Sequence, residues 1–479
     1  MKKIFFALVF LAGCSIGPDY KRPDIDLPPQ WRVMDYPAAA DAANTLWWKQ
    51  FDDPVLDALV DTALRENLDL QAASARIEQF LGALTSTRSQ YFPQLGYNAE
   101  ASRNRASRIG QPPLPSGSDP WYNLYQGALT ADWQIDLWGR VRRQSEAAQA
   151  NVLASTQARR GVILTLVSSV ASSYIALRGL DRQLEIAQAT AKNYAGTVDL
   201  FVLRRKSGVV SQVEIAQARS QYEAAVAAIP ALEIQVAATE NLISILLGRN
   251  PGPIPRGKTI DQLAAPAVPE GLPSVLLERR PDILEAEQAL VAANANIGVA
   301  KSLYFPTLSL TGLLGAVSTA ASEFFSSGAR TAAVAAGVSG PLFTFGGIRG
   351  QVDSAEAGQR LATVFYRQTI LNAFRETNDA LYGAQKTREQ YEALARRVDA
   401  LRDYARLSRA RFDGGAASYL EVLYAENELF TGELNAVRAN ADRYAQLITV
   451  YQALGGGWLD QADRMAPAPA TQKVGVKKE

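Results

Sequence analysis

Two periods of apolar spacing alternate along this chain. Over most of its length apolar side chains return every three or four residues, the stripe of a helix. Tyr391, Leu394, Val398, Leu401 and Ala405 step in this way and predict a coiled-coil seam. In four short places the period falls to two. Leu95, Tyr97, Ala99 and Ala101 alternate with Gln94, Gly96, Asn98, Glu100 and Ser102. Tyr125, Leu129, Ala131, Trp133, Ile135 and Leu137 alternate with Gln126, Thr130, Asp132, Gln134 and Asp136. Leu308, Leu310 and Leu314 alternate with Thr307, Ser309 and Thr311, and a weaker fourth run reads AAVAAGVSGPL over 332–342. Four strands are predicted, each with an apolar and a polar face. That pattern suits a bilayer crossing with a wet lumen, and equally a half-buried soluble sheet.

The helical stretches are long. One proline, Pro230, interrupts the chain between Pro120 and Pro251, and none falls between Pro341 and Pro467. Val141 to Lys206 as a single helix would extend about 100 Å. A shorter return limb runs from Ser211 to Leu247, and a separate helix is expected over Pro54–Ser89. The uncharged run GVILTLVSSVASSYIAL over 161–177 raises the question of a membrane helix. Its counterpart in the second half carries Arg375, Glu376 and Asp379 where this run has Ser168, Ser169 and Ser172. Equivalent elements share an environment, so a buried helix–helix face is the expectation.

That equivalence comes from internal repetition. SQYFPQL at 89–95 returns as SLYFPTL at 302–308, WGRVR at 138–142 as FGGIR at 345–349, and LLGRN near Leu246 as ALGGG near Ala453. SGVVSQVE at 207–214 returns as GGAASYLE at 414–421. The order is the same in both halves, which predicts a tandem duplication over 51–248 and 281–455. Around it lie an N-terminal segment (14–50), a proline-rich linker (249–280) and a tail (456–479). The end of that tail, APAPATQKVGVKKE, reads as disordered on composition. SGVVSQVE and GGAASYLE each become the tip of a helical hairpin.

Composition narrows the chemistry. Forty-nine basic and 48 acidic side chains give a net charge of +1, no reason to expect nucleic acid. The 479 residues include no histidine and one cysteine, which excludes histidine acid–base catalysis, histidine-built zinc sites and structural disulfides. The cysteine follows two lysines and an apolar run in MKKIFFALVFLAGCS, the form of a secretory signal over 1–13. LAGC resembles a bacterial lipobox, with Cys14 the lipidated first residue of the mature chain. Ser15 after it implies, by resemblance, sorting to the outer membrane. No cofactor is expected, and no carboxylate pair stands beside a recognisable substrate loop.

With that anchor, and with long polar loops such as NRASRIGQPPLPSGSDP between strands, the membrane reading of the strands is favoured. Four strands cannot close on themselves, and unpaired edges in hydrocarbon cost several kcal/mol per polar group. Subunits must therefore share a barrel, of eight strands for two copies or twelve for three. Eight strands leave an interior filled by side chains, whereas twelve begin to leave a passage.

The residues also resemble a family. LAGC, WWKQFDDPVLDALVDTALRENLDL (47–70), the two YFP triplets and GLPSVLLERRPDILEAE (271–287) are similar to the TolC-like outer-membrane efflux proteins, in their lipoprotein branch. The resemblance runs from Cys14 to about residue 457. It implies an α+β membrane protein: a homotrimer with a twelve-stranded transmembrane β-barrel, four strands per chain, continued by a long periplasmic α-helical barrel. It implies a passive exit duct in a tripartite efflux pump, with a periplasmic adaptor and an inner-membrane transporter of the resistance-nodulation-division type as partners. Gly208 and Gly415 match tip glycines that contact the adaptor. Glu214 and Glu421 match acidic positions ringing the periplasmic entrance, and Phe412 sits where a gating tyrosine is found. Three copies of both glutamates would ring the constriction with negative charge and favour cations. A second acidic position is replaced here by Gln217 and Tyr424, so the family's gating ion pairs do not carry over; Arg204, Arg205, Arg409 and Arg411 are the nearby replacement candidates. The rival reading is a non-conducting coiled-coil scaffold lipoprotein, which leaves the duplicated strands unexplained. With three methionines and no histidine, a copper or silver relay is disfavoured.

Overall fold

The computed structural model describes residues 16–26, 45–110, 114–268 and 277–470. Cys14 lies outside them. A 3₁₀ turn, Trp47–Phe51, precedes α1 (Pro54–Glu66) and α2 (Leu68–Ser89). Strands β1 (Gln94–Arg105) and β2 (Trp121–Ile135) follow, then α3 (Arg140–Lys206) and α4 (Gln212–Leu246). The order then recurs as α5 (Pro281–Ser302), β3 (Thr307–Ser318), β4 (Arg330–Ser339), α6 (Gly347–Asp413) and α7 (Tyr419–Leu454), closed by α8 (Trp458–Met465). The long limbs α3 and α6 both have 67 residues, and the return limbs have 35 and 36.

One compact unit holds Gln79–Ala154, Ala286–Tyr366 and the described residues up to Asp24. Its sheet is antiparallel throughout, in the order β1-β2-β3-β4. Register puts Tyr97 opposite Leu129, Leu129 opposite Leu314 and Leu314 opposite Ala332, an apolar row across all four strands. The row on the other face runs Gln94, Asp132, Thr311, Ala335. The alternation in the sequence is therefore the alternation of the sheet. Some bounds differ. β1 continues through Asn104 and Arg105 into the segment read as loop, because Arg103 and Arg105 both lie over the Trp121 ring. β2 ends at Ile135, two residues early: Trp138 turns away to pack at a tilt on Phe305, 4.8 Å between ring centres, and donates to the Pro306 carbonyl. Helices leave the sheet on small residues, Ala147 and Ala150 of α3 packing on Ala292 and Ala295 of α5.

The second unit holds the described residues of Ile25–Glu78, Ser155–Glu285 and Arg367–Glu479. The helix expected over Pro54–Ser89 is broken at Asn67. Its side-chain oxygen accepts from the Leu70 amide, capping α2, while its amide nitrogen donates to the Leu246 carbonyl at the end of α4. In the apolar run of α3, Ile163, Val167, Val170, Tyr174 and Ile175 are fully buried, the helix–helix face that the sequence predicts.

At the core of this unit Trp47, Trp48 and Trp458 meet edge to face, with Tyr451 stacked on Trp47 and Phe51 against Tyr444. Among the described residues none of the three indole N–H groups has a hydrogen-bond acceptor. Tyr444 and Tyr451 donate to the carbonyls of Leu263 and Ala267, holding the proline-rich linker to α7. Burial pushes the Tyr451 phenol up to about 12. α8 buries Trp458, Leu459 and Ala462, and beyond it Pro467 accepts from Arg159 and the Ala470 amide donates to Glu78. The first residues of APAPATQKVGVKKE are thus held in place.

Candidate functional site: the two hairpin tips

Both hairpin turns end their long helix in the same way. Gly208 has φ +73° and Gly415 φ +72°, the left-handed conformation in which a side chain is strained. The Gly208 amide donates to the Arg205 carbonyl and Val209 to Arg204. Gly415 donates to Phe412 and Ala416 to Arg411, the same two closing bonds. A methyl group at either glycine would meet open space, so backbone conformation, not crowding, requires them.

The helices that leave the turns start differently. At the first tip the Ser211 hydroxyl accepts from the Glu214 amide, and the Glu214 carboxylate accepts from the Ser211 amide at 2.7 Å, a complete capping box. At the second tip Ser418 forms no such side-chain bond. Glu421 instead reaches back across the turn to Arg411 at 2.9 Å and accepts from the Ser408 hydroxyl at 3.4 Å. Of the four arginines proposed as partners, Arg411 fills that role. Arg409 pairs elsewhere, with Asp413 on its own helix and with Glu426 on α7 at 3.5 Å. Arg204 and Arg205 stand with Lys206 in the last turn of α3, where the helix dipole favours cations. The two glutamates therefore differ: Glu214 closes its own helix start and keeps its charge, whereas Glu421 is paired with a guanidinium.

The two tips share one apolar cluster. Phe201, Val210, Ile215 and Ala218 of the first meet Tyr419, Val422 and Leu423 of the second. Phe412 packs on it, its ring 5.4 Å from Tyr419 and 6.0 Å from Phe201. The position expected to gate is thus part of an intrachain aromatic contact that couples the hairpins. Gln217 and Tyr424 line one shallow depression between α4 and α7.

Sequence reasoning missed Glu426. One of its oxygens is buried without a partner, and burial raises its pKa above the ordinary 4.5, Arg409 pulling the other way. Tyr194 of α3 and Tyr419 of α7 are raised by burial and by this carboxylate. The signal in the sequence was a glutamate among apolar neighbours two turns past the tip, indistinguishable there from a solvated face. Among the described residues no group of acidic or sulfur ligands could hold a metal ion.

Comparison with known proteins adds to this geometry. The model of the outer membrane efflux protein family matches residues 59–249 and again 272–456. The solvent efflux pump outer membrane protein SrpC of Pseudomonas putida is 34% identical over 460 residues, covering 95% of this chain and 97% of that one. The cation efflux system protein CusC of Escherichia coli O6:H1 is 34% identical over 459 residues, covering 95% and 98%. The crystal structure of the open state of the MtrE outer membrane channel of Neisseria gonorrhoeae aligns with a TM-score of 0.83 at 30% identity, covering 93% of this chain and 99% of that one.

Proposed function

The chain belongs to the outer membrane efflux protein family and is the outer-membrane component of an efflux pump, and from that premise we propose that three copies form one passive exit duct. The observation that carries this is the sheet. Its face of Tyr97, Leu129 and Leu314 is exposed, and among the described residues the outer edges of β1 and β4 have no strand beside them. In a bilayer those edges must pair. β4 of one copy runs antiparallel to β1 of the next, so the strands close as a cylinder. Two copies would give eight strands with a filled interior, and three give twelve, which leave a way through. The exposed Val213, Ile234, Leu242 and Ile245 of α4 fit the same arrangement, covered by a neighbouring copy.

The tips are the periplasmic end of the duct in this reading. Gly208 and Gly415 present their turns to a periplasmic adaptor, and an inner-membrane transporter supplies the energy. Glu214, Glu421 and Phe412 form the gate, the Arg411–Glu421 pair and the aromatic cluster holding it shut. Cys14 carries an acyl anchor that needs no spanning helix. The repeats 51–248 and 281–455 give each copy its two hairpins. No bond-making chemistry is assigned to the chain. What passes through is set by the pump that feeds it, since the relatives' names span solvents and cations.

The test is purification in mild detergent, native mass measurement and insertion into planar bilayers. A trimer with unitary conductance is expected, with an acyl mass that a Cys14→Ser variant lacks. A stable, non-conducting monomer would return the chain to the scaffold reading.

A further inference from the structure

The register of the sheet sorts every strand residue onto one of two faces, and charge falls unevenly between them. The face that carries Thr130, Ser309 and Thr311 holds two acidic residues, Asp132 of β2 and Glu100 of β1, and both are exposed. Glu100 accepts a hydrogen bond from the Gln126 amide at 2.7 Å, which leaves its charge in place. No lysine or arginine occupies this face on any of the four strands. Arg103, Arg105 and Arg330 stand on the opposite, apolar face at the strand ends away from the helices, two of them over Trp121. At the helical tips, by contrast, Glu421 is paired with Arg411, and Glu214, which keeps its charge, follows a turn that starts from Arg204, Arg205 and Lys206.

We propose that the ion preference of the duct is set inside the strand-lined part, by Asp132 with Glu100 further along, and not at the helical entrance. The proposal rests on the trimeric duct described above. With the apolar face turned to lipid, the polar face lines water. Three copies then place one ring of three aspartates and a second ring of three glutamates along the same lumen, with no cation on those walls to offset them. A ring of carboxylates raises the local concentration of cations and depletes anions. Its reach is about a Debye length, about 10 Å at 0.1 M salt and about 3 Å at 1 M. Selectivity that originates at such a ring therefore weakens as salt rises. Small organic cations are the solutes whose passage it assists, and organic anions those it slows.

The experiment uses the full-length protein in planar bilayers, with reversal potentials read under a potassium chloride gradient. Wild type is compared with Asp132→Asn, Glu100→Gln, the double variant, and the charge-keeping Asp132→Glu. The expected result is a fall of about threefold or more in the cation-to-anion permeability ratio for Asp132→Asn. The double variant should approach no preference, and Asp132→Glu should retain the wild-type ratio. These side chains are exposed and the replacements similar in size, so channels still form. A double variant that keeps the wild-type ratio overturns the proposal and returns selectivity to the tip carboxylates. Loss of the ratio in Asp132→Glu overturns it as well, since geometry rather than charge would then be responsible. A wild-type protein that forms no channel overturns the duct itself, a result distinguishable from either.

Discussion

Removing the Arg411–Glu421 pair should loosen the tip without dismantling it. The two side chains keep 59% and 29% of their surface in water, so the pair is an exposed one. Pairs of that kind are worth about 0.2–1 kcal/mol. Three copies acting on one closed state sum to about 0.6–3 kcal/mol, which shifts the balance of closed and open states by about 3-fold to 150-fold. The apolar cluster remains in every variant, with Phe201 and Tyr419 at 4.4 Å, and continues to favour closure. Arg411→Gln, Glu421→Gln and the double variant are compared by single-channel recording of open probability. Both single variants should open more often than wild type, and the double variant no more than either. The coupling from that cycle is the worth of the pair. Because the pair is exposed, the gap between wild type and variants should shrink in about 1 M salt. Strictly additive single effects, or a gap that widens with salt, would refute the reasoning.

Two further outcomes test the packing that supports the site. Gly257→Ala places a methyl group 2.1 Å from one Asp53 oxygen and 2.5 Å from the other, a carboxylate that is fully buried and accepts from Val55, Tyr174 and Lys258. The overpacking should cost about 1–3 kcal/mol and lower the thermal midpoint by circular dichroism, and an unchanged midpoint would mean the linker shifts freely. Glu426 prefers its proton in the packed state, so the cost of burying its charge appears as pH rises from about 4.5 through the raised value. Glu426→Gln should therefore match wild type in acid and melt higher at neutral pH; a lower midpoint at neutral pH would mean the Arg409 bond outweighs desolvation.

Much of this fold could be read from periodicity because periodicity is what the fold uses. Leu95, Tyr97, Leu129 and Leu314 alternate in the sequence and lie on one face of the sheet, since strand geometry leaves no other choice. The rods were legible for the same reason: residues without proline and with apolar spacing of three and four have one regular solution. The break at Asn67 was not legible, because an asparagine within a helical pattern shows only in the structure that its side chain caps one helix and grips the end of another. The tryptophan cluster was missed because Trp47, Trp48 and Trp458 lie at opposite ends of the chain, and composition does not say which ends meet. At the site, the positions of Gly208, Gly415, Glu214 and Glu421 were visible as repeated letters, whereas their partners were not. Which arginine meets which carboxylate depends on side-chain direction around a turn, and Arg409 and Arg411, two residues apart, meet different carboxylates of α7.

That difference in partners bears on what the duplication produced. Two turns with the same glycine, the same two closing hydrogen bonds and a glutamate in the same place have diverged in what holds the next helix. At the first, Ser211 and Glu214 satisfy each other within four residues, so α4 starts from a cap that no movement of neighbouring helices disturbs. At the second, Ser418 leaves its side chain out of the cap, and Glu421 spends its charge on Arg411 of the other limb. A bond between limbs changes when the limbs move apart, whereas a bond within one turn does not. The half-buried Glu426, bonded to Arg409 at 3.5 Å, adds a second contact between the same two limbs. Motion at the tip should therefore concentrate in the α6–α7 hairpin, with the α3–α4 hairpin as the fixed wall against which Phe412 and Tyr419 close.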